Sequence, residues 1–476
     1  MLDKKKFYIN GKWVSPSKPN DFEVINPSTE ETCAIISLGS KEDTNAAVVA
    51  AKKAFESWKD SSKEERIKLL EKLLSIYKKR YSEMVEAIST EMGAPMDWAT
   101  DVQTATGQSH LEDFILRLKE FKFDHQFDPK SNNHICYEPI GVCGLITPWN
   151  WPINQIMSKL VFVLASGCTC ILKPSEISPL SAILIAEIID EAGTPRGVFN
   201  LVNGFGSIVG DAMSRHPEIS MMSFTGSTIG GISVAKSSAD TVKRVSQELG
   251  GKSANIILDD SSFDKSVKQG VIKCMENSGQ SCNAPTRMLV PFRRLEESFF
   301  IAKSVCNSLI VGNPQNEDTD VGPLANVKQY KKVKDLIHTG INDGAKIITG
   351  GSNRPKNIDS GYYIEPTVFA YVTEEMSIFK EEIFGPVLTI THYHDYEHAL
   401  DIANNTDYGL AAYVSGIEKN DLLKLSKRLN AGQVYINYSS GGTEAPFGGL
   451  KMSGNGREKG RWGLNEFLET KAIIGE

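Results

Sequence analysis

Val142-Cys143-Gly144-Leu145-Ile146-Thr147 opens a series of short β-prone runs: TCILK (169–173), GVFNLV (197–202), ISMMSF (219–224) and the stretch 242–248. Helix-patterned segments lie between them, near 153–165, 179–192, 207–214 and 228–237. Strands alternating with helices of this length indicate right-handed βαβ units and a parallel sheet. A second series begins at Ser253-Ala254-Asn255-Ile256-Ile257-Leu258 and runs to about residue 440. Two consecutive α/β units predict two sheets, with a ligand cleft where they meet. Upstream, Ile67, Leu70, Leu74, Tyr77, Tyr81, Met84 and Ile88 share one helical face, and Gly93 and Pro95 end that helix. The segment 119–140 fits neither pattern and reads as a protruding hairpin.

The bulk properties narrow the function classes. With 476 residues, 41% of them hydrophobic and 23% charged, the chain has ordinary globular composition. Single cores stop growing at about 250–300 residues, so two or three domains are expected. A net charge of -7 and a pI near 5.8 argue against a broad nucleic-acid surface. Lys4-Lys5-Lys6 reads as a solvated terminus. No run approaches the roughly 18–20 apolar residues of a membrane span, so no membrane partner is expected. The N-terminus carries no apolar stretch of the secretory kind. Eight cysteines without a C-x-x-C pair suit reduced thiols, which places the protein in the cytoplasm. There is no internal repeat and no low-complexity stretch.

One cysteine stands apart. Cys282 lies in Asn277-Ser278-Gly279-Gln280-Ser281-Cys282-Asn283, a short polar segment after a helix-compatible stretch at 265–276. Such a loop can expose a thiol to a cleft, whereas the other cysteines sit in apolar or strand-like runs. A free thiol titrates near 8.5, so a catalytic one needs local activation. On the loop alone, Cys282 is either a nucleophile or a bystander.

Other motifs are weaker. Asn203-Gly204-Phe205-Gly206-Ser207-Ile208-Val209-Gly210 follows a strand and opens a helix, where a phosphate-binding turn would lie, yet its third glycine comes one place late for G-x-G-x-x-G. Phe224-Thr225-Gly226-Ser227 also joins strand to helix, so backbone N–H groups and the Ser227 hydroxyl could face a pyrophosphate. For both, a plain βα turn is the competing reading. Gly250-Gly251-Lys252-Ser253 is no P-loop, because position 246 is Ser and a strand follows. His392, His394 and His398 cannot share one face of any single element, and no H-E-x-x-H occurs, so no metal site is expected. Cys168 and Cys170 read as strand packing.

Taken together, the segments resemble the aldehyde dehydrogenase superfamily over essentially the whole chain, in order. Thr147-Pro148-Trp149-Asn150-Trp151-Pro152 is similar to its oxyanion and substrate-tunnel motif, and Leu172-Lys173-Pro174-Ser175-Glu176 to its adenosine-ribose motif. Phe224-Thr225-Gly226-Ser227 and Glu248-Leu249-Gly250-Gly251-Lys252 follow at the family's spacing, and Gly279-Gln280-Ser281-Cys282 resembles the nucleophile motif. Glu381-Glu382-Ile383-Phe384-Gly385-Pro386, Pro446-Phe447-Gly448-Gly449-Leu450-Lys451-Met452-Ser453-Gly454, Ile9-Asn10-Gly11 and Asn26-Pro27-Ser28-Thr29 complete the match.

The resemblance implies an α/β fold: a Rossmann-like cofactor domain (1–118 and 141–250), a second α/β catalytic domain (251–450) and a small β oligomerisation hairpin (119–140, with 451–476 as a bridging segment). That hairpin is expected to pair with the C-terminal tail of a partner subunit in a homodimer or homotetramer. The implied reaction oxidises a small-molecule aldehyde to a carboxylic acid and reduces NAD. Cys282 attacks the aldehyde carbon, Asn150 stabilises the oxyanion, and Glu248 activates water against the resulting thioester. Lys173 and Glu176 would hold the adenosine ribose, Glu382 the nicotinamide ribose, and Ser227 with its helix the pyrophosphate. Thr147, Pro148, Trp149, Gly206, Phe224, Gly226, Leu249 and Gly250 complete the implied cofactor set. Phe384 packs beside the nicotinamide or in the core. A carboxylate at Glu176 favours NAD over NADP, since a 2′-phosphate would meet like charge.

Two departures stand out. Cys168 occupies a place where relatives often carry Asn. The small residues of Tyr438-Ser439-Ser440-Gly441-Gly442-Thr443-Glu444-Ala445 imply a roomy or mobile substrate mouth. Two alternatives compete with the hydrolytic enzyme: a coenzyme A-acylating relative, which would not need Glu248, and a non-enzymatic structural relative, which would not need Cys282, Glu248 and Asn150 intact.

Overall fold

A computed structural model describes residues 1–475. The first βαβ series forms the middle of an eight-stranded sheet. Its order is Gly454–Asn455, Arg244–Glu248, Met221–Thr225, Val142–Ile146, Thr169–Lys173, Phe199–Leu201, Phe7–Ile9 and Lys12–Val14. The five central strands are mutually parallel, and antiparallel strands close both edges. Side chains alternate between the two covered faces. Cys143 and Leu145 enter the largest core, whereas Val142 and Ile146 enter a second one beneath the helices of the opposite face.

The second series forms a seven-stranded sheet, ordered Lys346–Thr349, Thr367–Ala370, Val387–Tyr393, Arg287–Pro291, Ala254–Ile257, Ala411–Ser415 and Gln433–Ile436. All its pairings are parallel except the edge pair Lys346–Thr349 with Thr367–Ala370. Ala254 and Ile256 face one core and Ile257 the other. A small N-terminal sheet joins Leu2–Lys4, Thr32–Ser37 and Asp21–Ile25.

Three sequence expectations need correction. The long helix through Ile67 and Ile88 is two helices, Lys63–Lys79 and Tyr81–Met92. They part at Arg80, whose guanidinium bonds Glu83 and reaches Glu187 at 2.7 Å. The apolar period runs across the joint, which hides it from a pattern search. The expected helix at 207–214 begins as a wide π-type turn, Gly206–Gly210, before Asp211–Arg215. The segment 119–140 does form a hairpin, with strands Asp124–Gln126 and Asn133–Pro139, but its third strand is the chain's own tail. Leu468–Ile474 pairs with Asn133–Pro139 residue for residue, so the partner-tail pairing is not what the hairpin makes. The expected bridging segment ends on Glu476, outside the described residues.

His392, His394 and His398 do come together, because a turn links strand Val387–Tyr393 to helix Tyr396–Asn404. The His394 and His398 rings stack, His392 meets His394 edge to face, and Phe292 tilts against His392 and His394, with centroids 5.0–5.4 Å apart. Cys143, Cys168, Cys170, Cys274 and Cys306 are buried in the cores, while Cys33 and Cys136 are half-buried. Among the described residues, no helix is long and apolar enough to cross a membrane.

Arg287, on the first residue of its strand, is a fully buried cation. It donates to the carbonyls of Lys252, Ile402 and Ala403 at 2.8–3.0 Å, and lies over the Phe379 ring. Arg287→Met strips three buried carbonyls of charged donors, and a loss of about 3–5 kcal/mol is expected. A urea unfolding midpoint unchanged from wild type would contradict this role.

Candidate active site

In a doubly wound sheet, ligands bind outside the carboxyl ends of the strands where the strand order reverses. Here the reversal falls between Val142–Ile146 and Met221–Thr225, which are sheet neighbours. The first strand runs out into Thr147-Pro148-Trp149-Asn150, and the second into Gly226-Ser227. Ser227 caps helix Thr228–Ser238, its Oγ accepting from the Gly230 N–H at 3.2 Å. A cavity of about 180 Å3 opens at this point. Pro148, Trp149, Asn150, Gly226 and Ser227 line it from the first sheet, and Cys282, Glu382 and Phe384 from the second.

A strained turn brings Cys282 to that cavity. Asn277, Ser278 and Gly279 have φ values of 55°, 56° and 71° in succession. At Gly279 a Cβ would stand 2.0 Å from the Gly385 carbonyl oxygen, so only glycine fits. The non-glycine residues are each held at a cost of about 1–3 kcal/mol, which surrounding contacts must offset. Ser278 Oγ donates to the Gly322 carbonyl at 2.9 Å. Gln103 Nε2 donates to Asn277 Oδ1 at 2.9 Å, and Asn277 Nδ2 donates to the Asn150 carbonyl at 3.0 Å. Trp151 Nε1 donates to Ser281 Oγ at 2.9 Å.

Asn150 is buried, and its amide donates to the Gln280 carbonyl at 2.9 Å. One N–H of that amide is thereby used to fix its plane, and the second is left over for a ligand oxygen. Cys282 is half-buried. Besides the first cavity it lines a second one, of about 450 Å3, with Trp151, Tyr413, Tyr435, Tyr438 and the stretch 439–444. The small residues of that stretch form a roomy wall, as expected.

Glu248 ends strand Arg244–Glu248 and is 2% exposed, with neither carboxyl oxygen hydrogen-bonded. Burial, and then the nearby Glu458 charge, push its pKa well above the usual carboxylate range; Lys159 and Arg457 pull the other way. Lys159 and Glu458 form a buried ion pair, with Ser158 Oγ donating to the same carboxylate at 3.0 Å. Burial also raises the Cys282 thiol strongly, with Glu382 and Glu248 adding to the effect. Thiol and carboxyl thus favour their protonated forms in the free protein.

The remaining expected residues fall into three groups. Leu249, Gly250, Glu382 and Phe384 line the smaller of the two cavities, at the sheet's reversal point. Glu382 Oε1 accepts from the Gly251 N–H at 2.8 Å, and Phe384 meets Trp149 edge to face at 5.5 Å. Lys173, Glu176 and Gly206 lie farther along the strand ends. Lys173 Nζ donates to the carbonyls of Pro174 and Gly204 at 2.7 and 2.8 Å, burial lowers its pKa to about 8, and Glu176 stands 3.8 Å from it. A Cβ on Gly206 would meet nothing within 4 Å. The Phe224 ring and the Thr147 side chain are buried. The ring lies directly under Gly226 and Gly230, where any Cβ would strike it, so Phe224 supports the turn from below.

Sequence reading missed the residues that hold these groups. Gln329 Nε2 donates to the Ile383 and Phe384 carbonyls at 2.9 and 2.8 Å, and Lys332 Nζ to the Glu382 carbonyl at 2.7 Å. Both sit on helix Val327–Asn342, whose surface-like pattern carries no motif. Gln103 and Asn277 act through a contact between distant segments, which no local spacing reveals.

The family model described as "Aldehyde dehydrogenase family" matches residues 13–473. A 3-succinoylsemialdehyde-pyridine dehydrogenase from Pseudomonas sp. is 48% identical over 476 residues, covering 100% of this chain and 99% of the relative. A putative aldehyde dehydrogenase from Staphylococcus saprophyticus is 44% identical, covering 99% and 98%. Among solved structures, an aldehyde dehydrogenase from Bartonella henselae is 49% identical, covers 99% of each chain and superposes with a TM-score of 0.98. A cysteine-to-alanine mutant of Aldehyde Dehydrogenase C from Pseudomonas syringae, complexed with NAD+ and octanal, is 46% identical at a TM-score of 0.97, covering 99% of this chain and 96% of that one. The chain belongs to the aldehyde dehydrogenase family and is an oxidoreductase that oxidises aldehydes.

Proposed function

We propose that this chain oxidises its aldehyde to a carboxylic acid through a thioester on Cys282, with NAD as cofactor. The carrying observation is that Cys282 stands where two cavities meet, one shaped from the sheet's reversal point and one opening past the tyrosines. The first has the features a dinucleotide needs. Its wall includes the Ser227-capped helix start, and the buried Thr225 Oγ1 there has no partner. Ser227 and Gly226 would hold the pyrophosphate, Glu382 the nicotinamide ribose, and Lys173 with Glu176 the adenosine ribose. The Glu176 carboxylate favours NAD over NADP. When bound, NAD supplies the acceptor for the two electrons that leave the substrate carbon.

The Cys282 thiol gives up its proton to solvent water and adds as thiolate to the aldehyde carbon, and the carbonyl oxygen becomes an alkoxide. The free N–H of the Asn150 amide stabilises that oxygen, a contribution typically about 2.7–4 kcal/mol of barrier. Loss of hydride from the carbon leaves the thioester. Water then attacks it, Glu248 takes the water's proton, and the Cys282 thiolate departs. The orphaned carboxyl of Glu248 supports hydrolysis over transfer to coenzyme A, because a thiol acceptor needs no such base. Free cysteines throughout the described residues suit a cytoplasmic protein. The division into 1–118 with 141–250, 251–450, and 119–140 with 451–476 is supported by the two sheets and by the pairing of the hairpin with Leu468–Ile474, although Gly454–Asn455 adds to the first sheet. The exposed outer edge of Leu468–Ile474 supports a homodimer or homotetramer, since an open edge strand invites pairing.

Cys282→Ala is expected to abolish NADH formation while NAD binding, followed by calorimetry, survives; turnover by that variant removes Cys282 as the nucleophile. Glu248→Gln is expected to retain the NADH burst and to slow steady-state turnover by about 10²–10⁴. A base with a raised pKa is lost as pH falls through that pKa, so wild-type deacylation climbs with pH above the ordinary carboxylate range. In Glu248→Gln the climb should vanish, and an unchanged profile would assign the base elsewhere.

A further inference from the structure

The wall of the larger cavity carries one cation without a counter-ion. Lys459 lines it, and the ammonium donates only to the Gly442 carbonyl, at 3.0 Å, while lying 5.4 Å from the centre of the Phe447 ring. No carboxylate comes within 4 Å of it among the described residues. The other lysine of this wall, Lys273, is already neutralised by Glu276 at 2.6 Å. The tyrosine hydroxyls nearby are committed to protein acceptors: Tyr413 to the Asn283 carbonyl, Tyr435 to Gln433 Oε1, and Tyr438 to the Ser266 carbonyl.

The backbone adds an independent observation. Lys459 has φ 68° and ψ 157°, a region reserved almost entirely for glycine. Its neighbours hold it there. Phe447 and Glu458 exchange both backbone hydrogen bonds, at 2.7 and 2.9 Å, and the Gly460 N–H donates to the Thr443 carbonyl at 3.2 Å. A lysine is thus kept where glycine would sit without strain, with its charged end on the substrate side of Cys282.

We infer that Lys459 is a specificity-determining residue: it binds a carboxylate at the far end of the substrate, so that the preferred substrates are aldehydes bearing a terminal carboxylate. This rests on the assignment of Cys282 and its larger cavity to aldehyde oxidation. A single ammonium at the cavity wall matches a single negative charge, and a carboxylate would replace the weak contact with the Gly442 carbonyl by a charge-assisted hydrogen bond. Burial lowers the pKa of Lys459, whereas Glu458, Cys282, Glu444 and Glu248 each raise it. The carboxylates among these, Glu458, Glu444 and Glu248, are the groups an incoming anion must out-compete, and none of them is paired with the ammonium.

The test compares kcat/KM for two matched pairs, butanal with 4-oxobutanoate and octanal with 8-oxooctanoate, in the full-length protein with NAD. Wild type is expected to favour the carboxylated member in at least one pair. In Lys459→Met that preference should fall by about tenfold. Lys459→Gly, which relieves the backbone strain and so folds at least as well, should show the same loss. A preference ratio that changes less than fivefold in both variants, or no wild-type preference in either pair, overturns the inference while leaving the aldehyde chemistry standing. No NADH from any of the four aldehydes would instead overturn the active-site assignment beneath it.

Discussion

The turn that carries Cys282 is pinned within the second unit, where the backbone of Gly279 presses on the carbonyl of Gly385, too close for any side chain to stand between them. This contact needs the three-residue left-handed turn before Cys282. The turn in turn needs the hydrogen bonds that Gln103, Asn150 and Gly322 provide from outside it. Positioning the sulfur and fixing the plane of the Asn150 amide are therefore one event. The chain Gln103–Asn277–Asn150–Gln280 joins the helical layer of the first unit to the nucleophile turn of the second. Rigidity of this kind suits the Asn150 amide to the oxyanion role proposed for it, because the donor is oriented before substrate arrives.

Burial governs the electrostatics of the same site. The features that exclude bulk water from Cys282 and Glu248 also raise both pKa values. An uncharged pair is easier to keep in an apolar pocket than two anions. The adjoining Lys159–Glu458 ion pair is closed on itself and fully satisfied, so it shapes the potential around Glu248 without offering a free charge. Lys252 shows the same pressure on a cation, for burial beside Arg287 lowers its pKa to about 7.

Much of this was legible in the chain. Strand and helix alternation exposed both sheets, since each strand lies between two covered faces and reads as a short apolar run. The Cys282 loop and the Ser227 turn showed themselves through local spacing with two readings each, and the roles expected of Cys282 and Glu248 came from the likeness of their motifs to the family's. What stayed hidden was contact between remote segments. Gln103 lies in the π-type segment Ala99–Thr104, which carries no motif, and Gln329 and Lys332 lie on a helix that looks like surface. The Arg80 joint was invisible because two helices in sequence preserved one apolar period. The strand partner of the hairpin was misassigned for a related reason: nothing in a strand's own residues says from which chain its neighbour comes.

That partner has a bearing on how the molecule is made. Asn133–Pro139 has Asp124–Gln126 on one side and finds its second neighbour only in Leu468–Ile474, and the Arg244–Glu248 edge of the first sheet is closed only by Gly454–Asn455. Arg244 clasps the carbonyls of Glu466 and Leu468, tying the same late segment to an early strand. On the ribosome, therefore, a nearly complete nucleotide-binding unit emerges with one sheet margin and one hairpin still bare. Both must wait, exposed to neighbouring nascent chains, until the final residues leave the exit tunnel.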